Sequence, residues 1–383
     1  MEHKTRIGVI GAGARSQYVV GNLLRDSARG VEIVAVFDPD EKEARRAAGL
    51  WGMPGCRICS SFPEVIAAPG VEWVMIFSPN ARHKEQIVAA FAAGKHVFSE
   101  KPLATTVEDC REIYEAHQAH PELHFATGFV LRYAPIYRKT GELLRSGQLG
   151  EILMVQASEN IAPIHGAYMM AGWRRLRSEA GPHLLEKCCH DLDLVMWFCQ
   201  SRPARVCGFG RLAFFTPERQ ELMERYDRKV FSDQENPCWR DPHAQPSPFT
   251  CRKDVIDTQG AVAEMRNGII VNFMATMSNP KPERRMYFSC TEGTLIVELY
   301  SLTLTWRRLG EGEEHTIRFD GDCHGGGDSL IMKELYETMT QGCPPKCSGN
   351  EGLDSAVFAL AMDQAIREGR VLDIEPVWRM LGR

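Results

Sequence analysis

The stretch from Arg6 to Ser16 constrains this chain more than any other. A short apolar run, Arg6 to Ile10, closes on Gly11-Ala12-Gly13 and passes through Ala14-Arg15-Ser16 into helical apolar spacing at Val19 to Leu24. A Gly-rich turn between a strand and a helix lets backbone approach a pyrophosphate, and the helix N-terminus supplies N–H donors and positive dipole. Ser16 stands where a third glycine is usual and is small enough for close packing. Asp38 ends the next expected strand, where an acid binds ribose hydroxyls and its charge repels a 2′-phosphate. Gly11, Gly13, Ala14, Arg15, Ser16 and Asp38 are therefore expected at the cofactor, with NAD favoured over NADP. The same residues would also serve a tight turn and a helix cap.

The pattern then repeats. Apolar runs at Val31–Phe37, Trp73–Phe77, His96–Ser99 and His124–Phe129 alternate with helical spacing at 41–50, 83–93 and 107–119. Such alternation implies βαβ units and a doubly wound parallel sheet, an α/β Rossmann domain over residues 1–129. Beyond it, strands expected near 151–159, 205–215, 260–264, 269–276, 287–289, 295–299 and 302–309 follow one another between turn residues. They imply an α+β domain over 130–383 with a mostly antiparallel sheet. Helices are expected over 137–147, 184–198, 329–341 and 352–368, and a polar excursion over 216–255.

Composition narrows the function. At 383 residues with 25% charged residues and a net charge of −5, the chain is globular and slightly acidic. Nucleic acid is not expected as a partner, because phosphate binding needs a basic surface. Apolar runs stay short of a membrane span, and the first residues carry no signal-peptide pattern, so a cytoplasmic location is expected. The 13 cysteines are scattered and read as thiols. Cys56 and Cys59 lack a second pair at zinc-finger spacing; Cys238 and Cys251 with His243 between them leave a zinc clip conceivable. No metal is assigned.

Further motifs carry a resemblance. These are Phe77-Ser78-Pro79-Asn80 followed by His83, Gly94 to Leu103 with Glu100-Lys101-Pro102, Gly150-Glu151-Ile152, and His190-Asp191-Leu192-Asp193. In this order the set resembles the Gfo/Idh/MocA family, named for glucose–fructose oxidoreductase and inositol dehydrogenase. The resemblance implies a Rossmann domain followed by an open-faced sheet domain that often mediates dimers or tetramers. It implies oxidation of sugars, cyclitols and their relatives with NAD(P), and a homodimer or homotetramer here. It also implies cofactor contacts from Ser78, Pro79, Asn80, His83, Glu100 and Lys101, and favours a cis bond before Pro102. The chain departs from the family at Glu186, where aspartate is usual, and at Ala180-Gly181-Pro182, where three glycines are usual.

Alcohol oxidation needs a base, a cation for the developing alkoxide, and a hydride acceptor. Lys101 lies just past a strand's C-terminal end, where Rossmann ligands bind. His190 is a suitable base, since imidazole exchanges protons near neutrality. Glu186, four residues earlier, would share a helix face with it and orient the ring. Asp193 would hydrogen-bond a sugar hydroxyl or orient a neighbour. Arg132, Tyr133, Trp173, Arg174, His183 and His324 are the remaining candidates for substrate contact. The leading expectation is an NAD-dependent dehydrogenase. Alternatives are an NAD-dependent glycosidase using transient oxidation and elimination, and a non-enzymatic NAD sensor.

Overall fold

The computed structural model describes residues 4–27, 30–225, 246–322 and 324–383. The chain divides into two compact units, Met1–Ala134 with Gly326–Asp354, and Pro135–Gly325 with Ser355–Arg383. The sequence reading placed everything after 129 in the second domain, whereas the returning segment 326–354 belongs to the first unit. The reason is local packing. A Cβ on Gly327 would lie 2.1 Å from the Val130 carbonyl oxygen, and one on Gly349 would lie 1.9 Å from the Phe125 ring.

Among the described residues the first unit holds six strands: β1 (Thr5–Ile10), β2 (Val31–Phe37), β3 (Arg57–Ile58), β4 (Trp73–Ile76), β5 (His96–Ser99) and β6 (Phe125–Thr127). Their order is β3-β2-β1-β4-β5-β6, and every pairing is parallel. The doubly wound sheet expected from the sequence is present, with β3 added. Successive residues of β4, Trp73 to Ile76, are all buried, as expected of a strand covered on both faces. Strand order reverses between β1 and β4, so the crevice beyond their carboxyl ends is the topological switch point where ligands bind.

The second unit holds β7 (Ile152–Asn160), β8 (Pro203–Arg211), β9 (Thr258–Met265), β10 (Ile270–Thr276), β11 (Glu283–Cys290), β12 (Gly293–Glu298), β13 (Thr303–Arg308), β14 (His315–Arg318) and β15 (Leu372–Asp373). They form one sheet in the order β14-β13-β12-β11-β7-β10-β9-β8-β15. Among the described residues, only β7 with β10 is parallel in its pairings. Here burial alternates. Gln259, Ala261, Ala263 and Met265 of β9 are buried, while the opposite face shows Phe209 84% exposed and Met274 50% exposed.

Two expectations change. The helix expected over 184–198 is two helices, His183–Glu186 and Cys189–Cys199, because Cys188 turns at φ −89°, ψ 0°. The stretch 216–255 is not polar throughout: Phe249 and Val255 are buried in a cluster with Met170, Phe215 and Met277. No described helix is long and apolar enough to cross a membrane.

Candidate functional site

In the first unit the glycine turn occupies the switch point. Gly11 has φ +91°, and a Cβ there would lie 2.8 Å from the Phe77 carbonyl carbon and 2.9 Å from Ser78 N. Only glycine meets both demands. Gly13 is different: a Cβ there would meet nothing within 4 Å. Its missing side chain leaves open space in front of the 14-residue helix Ala14–Ser27, whose first-turn N–H groups lack intrahelical acceptors. Open space in front of a helix N-terminus is what a pyrophosphate requires, so the residues present fit a dinucleotide. Ser16 is buried and its hydroxyl donates to the Gly13 carbonyl at 2.8 Å, which is how serine is accommodated at the third glycine position.

Asp38 shapes the same turn. One carboxylate oxygen accepts from Ala12 N at 2.8 Å and the other from Asp40 N at 2.9 Å. Arg15, expected at the cofactor, donates to Glu100 at 2.7 Å and to Asp328 at 2.9 Å. Burial disfavours its charge, but the two carboxylates outweigh that and hold its pKa above the usual arginine value.

Lys101 follows β5. Its backbone N–H donates to Glu100 Oε2 at 3.2 Å, and the Lys101–Pro102 peptide is cis. A Cβ on Gly128 would lie 2.8 Å from that same oxygen, so glycine gives Glu100 its room. His83, also expected at the cofactor, is buried with Nδ1 2.8 Å from the Pro102 carbonyl oxygen and Nε2 2.7 Å from that of Ser78. The Ser78 hydroxyl donates to Gln86 at 2.6 Å, and Asn80 opens the adjoining turn, buried. Arg132 is half-buried in this unit. Tyr133, expected at the substrate, is buried, with its hydroxyl donating to Glu334 at 2.9 Å and its pKa raised by burial.

In the second unit the broken helix carries the expected base. His190 and Asp193 lie on Cys189–Cys199, both buried, and the His190 ring centroid is 6.2 Å from that of His324. Glu186 lies on the other side of the break from His190. Its Oε1 accepts from Arg174 Nε at 2.6 Å. The Arg174 guanidinium stacks over Trp173 at 4.2 Å and over Tyr168 at 4.7 Å. His183 is buried, with Nδ1 2.8 Å from the Gln259 amide nitrogen; burial and then Lys187 push its pKa down to about 3. It is an interior histidine.

Sequence reasoning missed Arg284, Glu159 and the pairing role of Asp191. Arg284 Nε and Nη2 donate to the two Asp191 oxygens at 2.8 and 2.7 Å, and Nε lies 2.8 Å from Glu159 Oε2. The signal was present: Arg284 occupies the inward phase of β11, with Met286 and Phe288. Of the conceivable zinc clip, Cys238 and His243 lie outside the described residues, and Cys251 Sγ lies 3.0 Å from the Met170 carbonyl oxygen. Cys56, of the Cys56/Cys59 pair, has its thiol pushed up to about 12 by burial.

Comparisons with known proteins agree with this architecture. The family model described as "Oxidoreductase family, NAD-binding Rossmann fold" matches residues 5–128, and the "GFO/IDH/MocA C-terminal domain" matches residues 137–296. An inositol 2-dehydrogenase of Gluconacetobacter diazotrophicus is 35% identical over 194 residues, 50% of this chain and 53% of that protein. One named inositol 2-dehydrogenase 3, from Saccharopolyspora erythraea, is 36% identical over 192 residues, 50% of this chain and 53% of that protein. The chain thus spans about half the length of these curated relatives. Among solved structures, a myo-inositol 2-dehydrogenase from Lactobacillus plantarum superposes with TM-score 0.73 at 18% identity, covering 97% of this chain and 99% of that one. A levoglucosan dehydrogenase superposes with TM-score 0.78 at 17% identity, covering 97% and 100%. These structures share the fold. With matched domains running through both units, the chain belongs to the Gfo/Idh/MocA oxidoreductase family and carries its NAD-binding Rossmann domain.

Proposed function

We propose that this protein is an NAD-dependent dehydrogenase that oxidises a secondary alcohol of a sugar or cyclitol. The observation that carries the reading is the glycine turn at the switch point, open at Gly13 and tied to Asp38, with Lys101 held beyond β5 in the same unit. NAD is preferred over NADP because Asp38 presents negative charge where a 2′-phosphate would lie. The substrate class is supported by the relatives named for inositol and the structure named for levoglucosan.

Gly11, Gly13, Ala14 and Ser16 form the cradle, and Ser78, Pro79 and Asn80 border it. The bound nicotinamide supplies the hydride acceptor. Lys101 steadies the developing alkoxide, and His190 takes the hydroxyl proton at its imidazole. Asp193, His324, Trp173 and Arg174 read the substrate, with Glu186 holding the Arg174 guanidinium on its aromatic platform. The bare sheet face around Phe209 and Met274 is the surface on which a homodimer or homotetramer would form.

A panel of inositols, sugars and aryl glycosides, followed for both NADH and released aglycone, tests the reading. NADH accumulating with a polyol is the expected result. Aglycone release without NADH would replace net oxidation with glycoside cleavage. Tight NAD binding with no turnover on any member would point to a sensor.

A further inference from the structure

The geometry points to a positioning device for His190: a chain of four charges, Lys187–Glu159–Arg284–Asp191, that staples the helix break on whose two sides Glu186 and His190 stand. This rests on His190 being the proton acceptor. Lys187, at the end of helix His183–Glu186, has its Nζ 3.9 Å from Glu159 Oε1. Asp191, in the first turn of Cys189–Cys199, takes both prongs of the Arg284 fork. Glu159 and Arg284 face each other across β7 and β11, register partners in the sheet, and Arg284 Nε is 2.8 Å from Glu159 Oε2. Each side of the break is thus tied to the sheet through one carboxylate–cation link.

Three of the four side chains are interior: Glu159 is 0%, Asp191 1% and Arg284 2% exposed. Formal charge balances within the set, two cations against two anions. Burial works against the Arg284 charge, yet Asp191 and Glu159 outweigh it and keep the guanidinium well above its usual value. Buried ion pairs are seldom the cheapest route to stability, since apolar residues of similar volume often serve as well. What a planar fork adds is direction: two parallel N–H···O bonds fix the rotation of the carboxylate that receives them. The break at Cys188 interrupts the main-chain ladder that would otherwise set His190 relative to the preceding helix. The side-chain staple takes over that task, making Arg284, Asp191 and Lys187 positioning residues for the imidazole one place before Asp191.

Three variants of the full chain test this. Arg284→Lys keeps the charge count and removes the fork; Asp191→Asn weakens the fork's partner; Lys187→Met cuts the tie on the other side of the break. Each should lower kcat by about 10–10²-fold, the scale of a misplaced catalytic group, with NAD affinity unchanged and the His190 ring NMR signals displaced. Folded fraction is followed by melting. Variants that fold and keep wild-type kcat would overturn the proposal, and so would losses that merely track the folded fraction. His190→Gln is measured alongside. If it leaves turnover intact, the base assignment fails, and the His190 ring signals of the three variants alone decide: unmoved signals overturn the positioning role.

Discussion

His83 Nδ1 lies 2.8 Å from the carbonyl oxygen of Pro102, nineteen residues along the chain, while its Nε2 lies 2.7 Å from that of Ser78. The ring therefore bridges the segments that leave β4 and β5. Glu100 accepts the Lys101 N–H and is itself held by Arg15, so the Lys101 backbone is pinned from two directions. The sequence pattern pointed to His83 as a cofactor contact; its nitrogens serve the backbone that carries the lysine.

His83→Ala should consequently hurt catalysis more than cofactor binding. The ring's hydrogen bonding to the Pro102 and Ser78 carbonyls is lost, about 1–3 kcal/mol of stability once the cavity term is included. Turnover should fall by about 10²-fold through displacement of Lys101. Steady-state kinetics with NAD titration calorimetry separates the two effects. Unchanged kcat per mole of folded protein would show that the clamp has no bearing on Lys101.

Asp38→Ala should loosen both the turn and the NAD preference. The carboxylate accepts from Ala12 and Asp40 in the protein alone and retains lone pairs for ribose hydroxyls. Its removal should weaken NAD binding by about 1–3 kcal/mol and narrow the gap to NADP. Binding of both cofactors to both proteins checks this. A wild type that already binds NADP more tightly than NAD would reverse the assignment.

His183 sets a pH dependence. Its folded pKa is depressed to about 3, by burial first and Lys187 second. Below its unfolded value of about 6.5 the unfolded chain binds a proton that the folded one does not, so stability falls as pH drops from there toward 3. Between pH 7 and 5 this costs about 2 kcal/mol. His183→Asn removes the titrating ring, and its melting temperature should decline less over that range than wild type's. Parallel declines in the two proteins would mean that His183 is not the proton-linked group.

The parts legible in the sequence are those where local chemistry and global fold make the same demand. Gly11 is required by φ and by the Phe77–Ser78 backbone at once, so strand, turn and helix announced themselves within eleven residues. What stayed hidden depends on distant partners. Strands β3 and β15 have two residues each, too few for a period to appear. Asp257 looks like a loop acid, yet its buried carboxylate accepts from the backbone of Ala213, Phe214 and Phe215, each at 2.8 Å. The break at Cys188 has no proline or glycine to mark it, and apolar spacing continues straight across.

Lys101 and His190 give the most decisive test, because the proposed mechanism assigns them to one chemical step. Lys101→Ala should reduce turnover by ~10²–10³-fold, the range for removing one preorganised electrostatic donor. His190→Ala should cost ~10²–10⁴-fold, as for a lost general base. If both stabilise one transition state, the double variant should lose less than the product of the single losses. Neither substitution touches the Gly11–Gly13 turn, so NAD affinity should hold. Kinetics of the two single variants and the double one, with cofactor binding by calorimetry, supply the cycle. Wild-type turnover in either single variant removes that residue from the mechanism, and fully multiplicative losses assign the two to separate steps. Collapse of NAD binding in both would move them from chemistry to cofactor retention, the outcome a sensor would show.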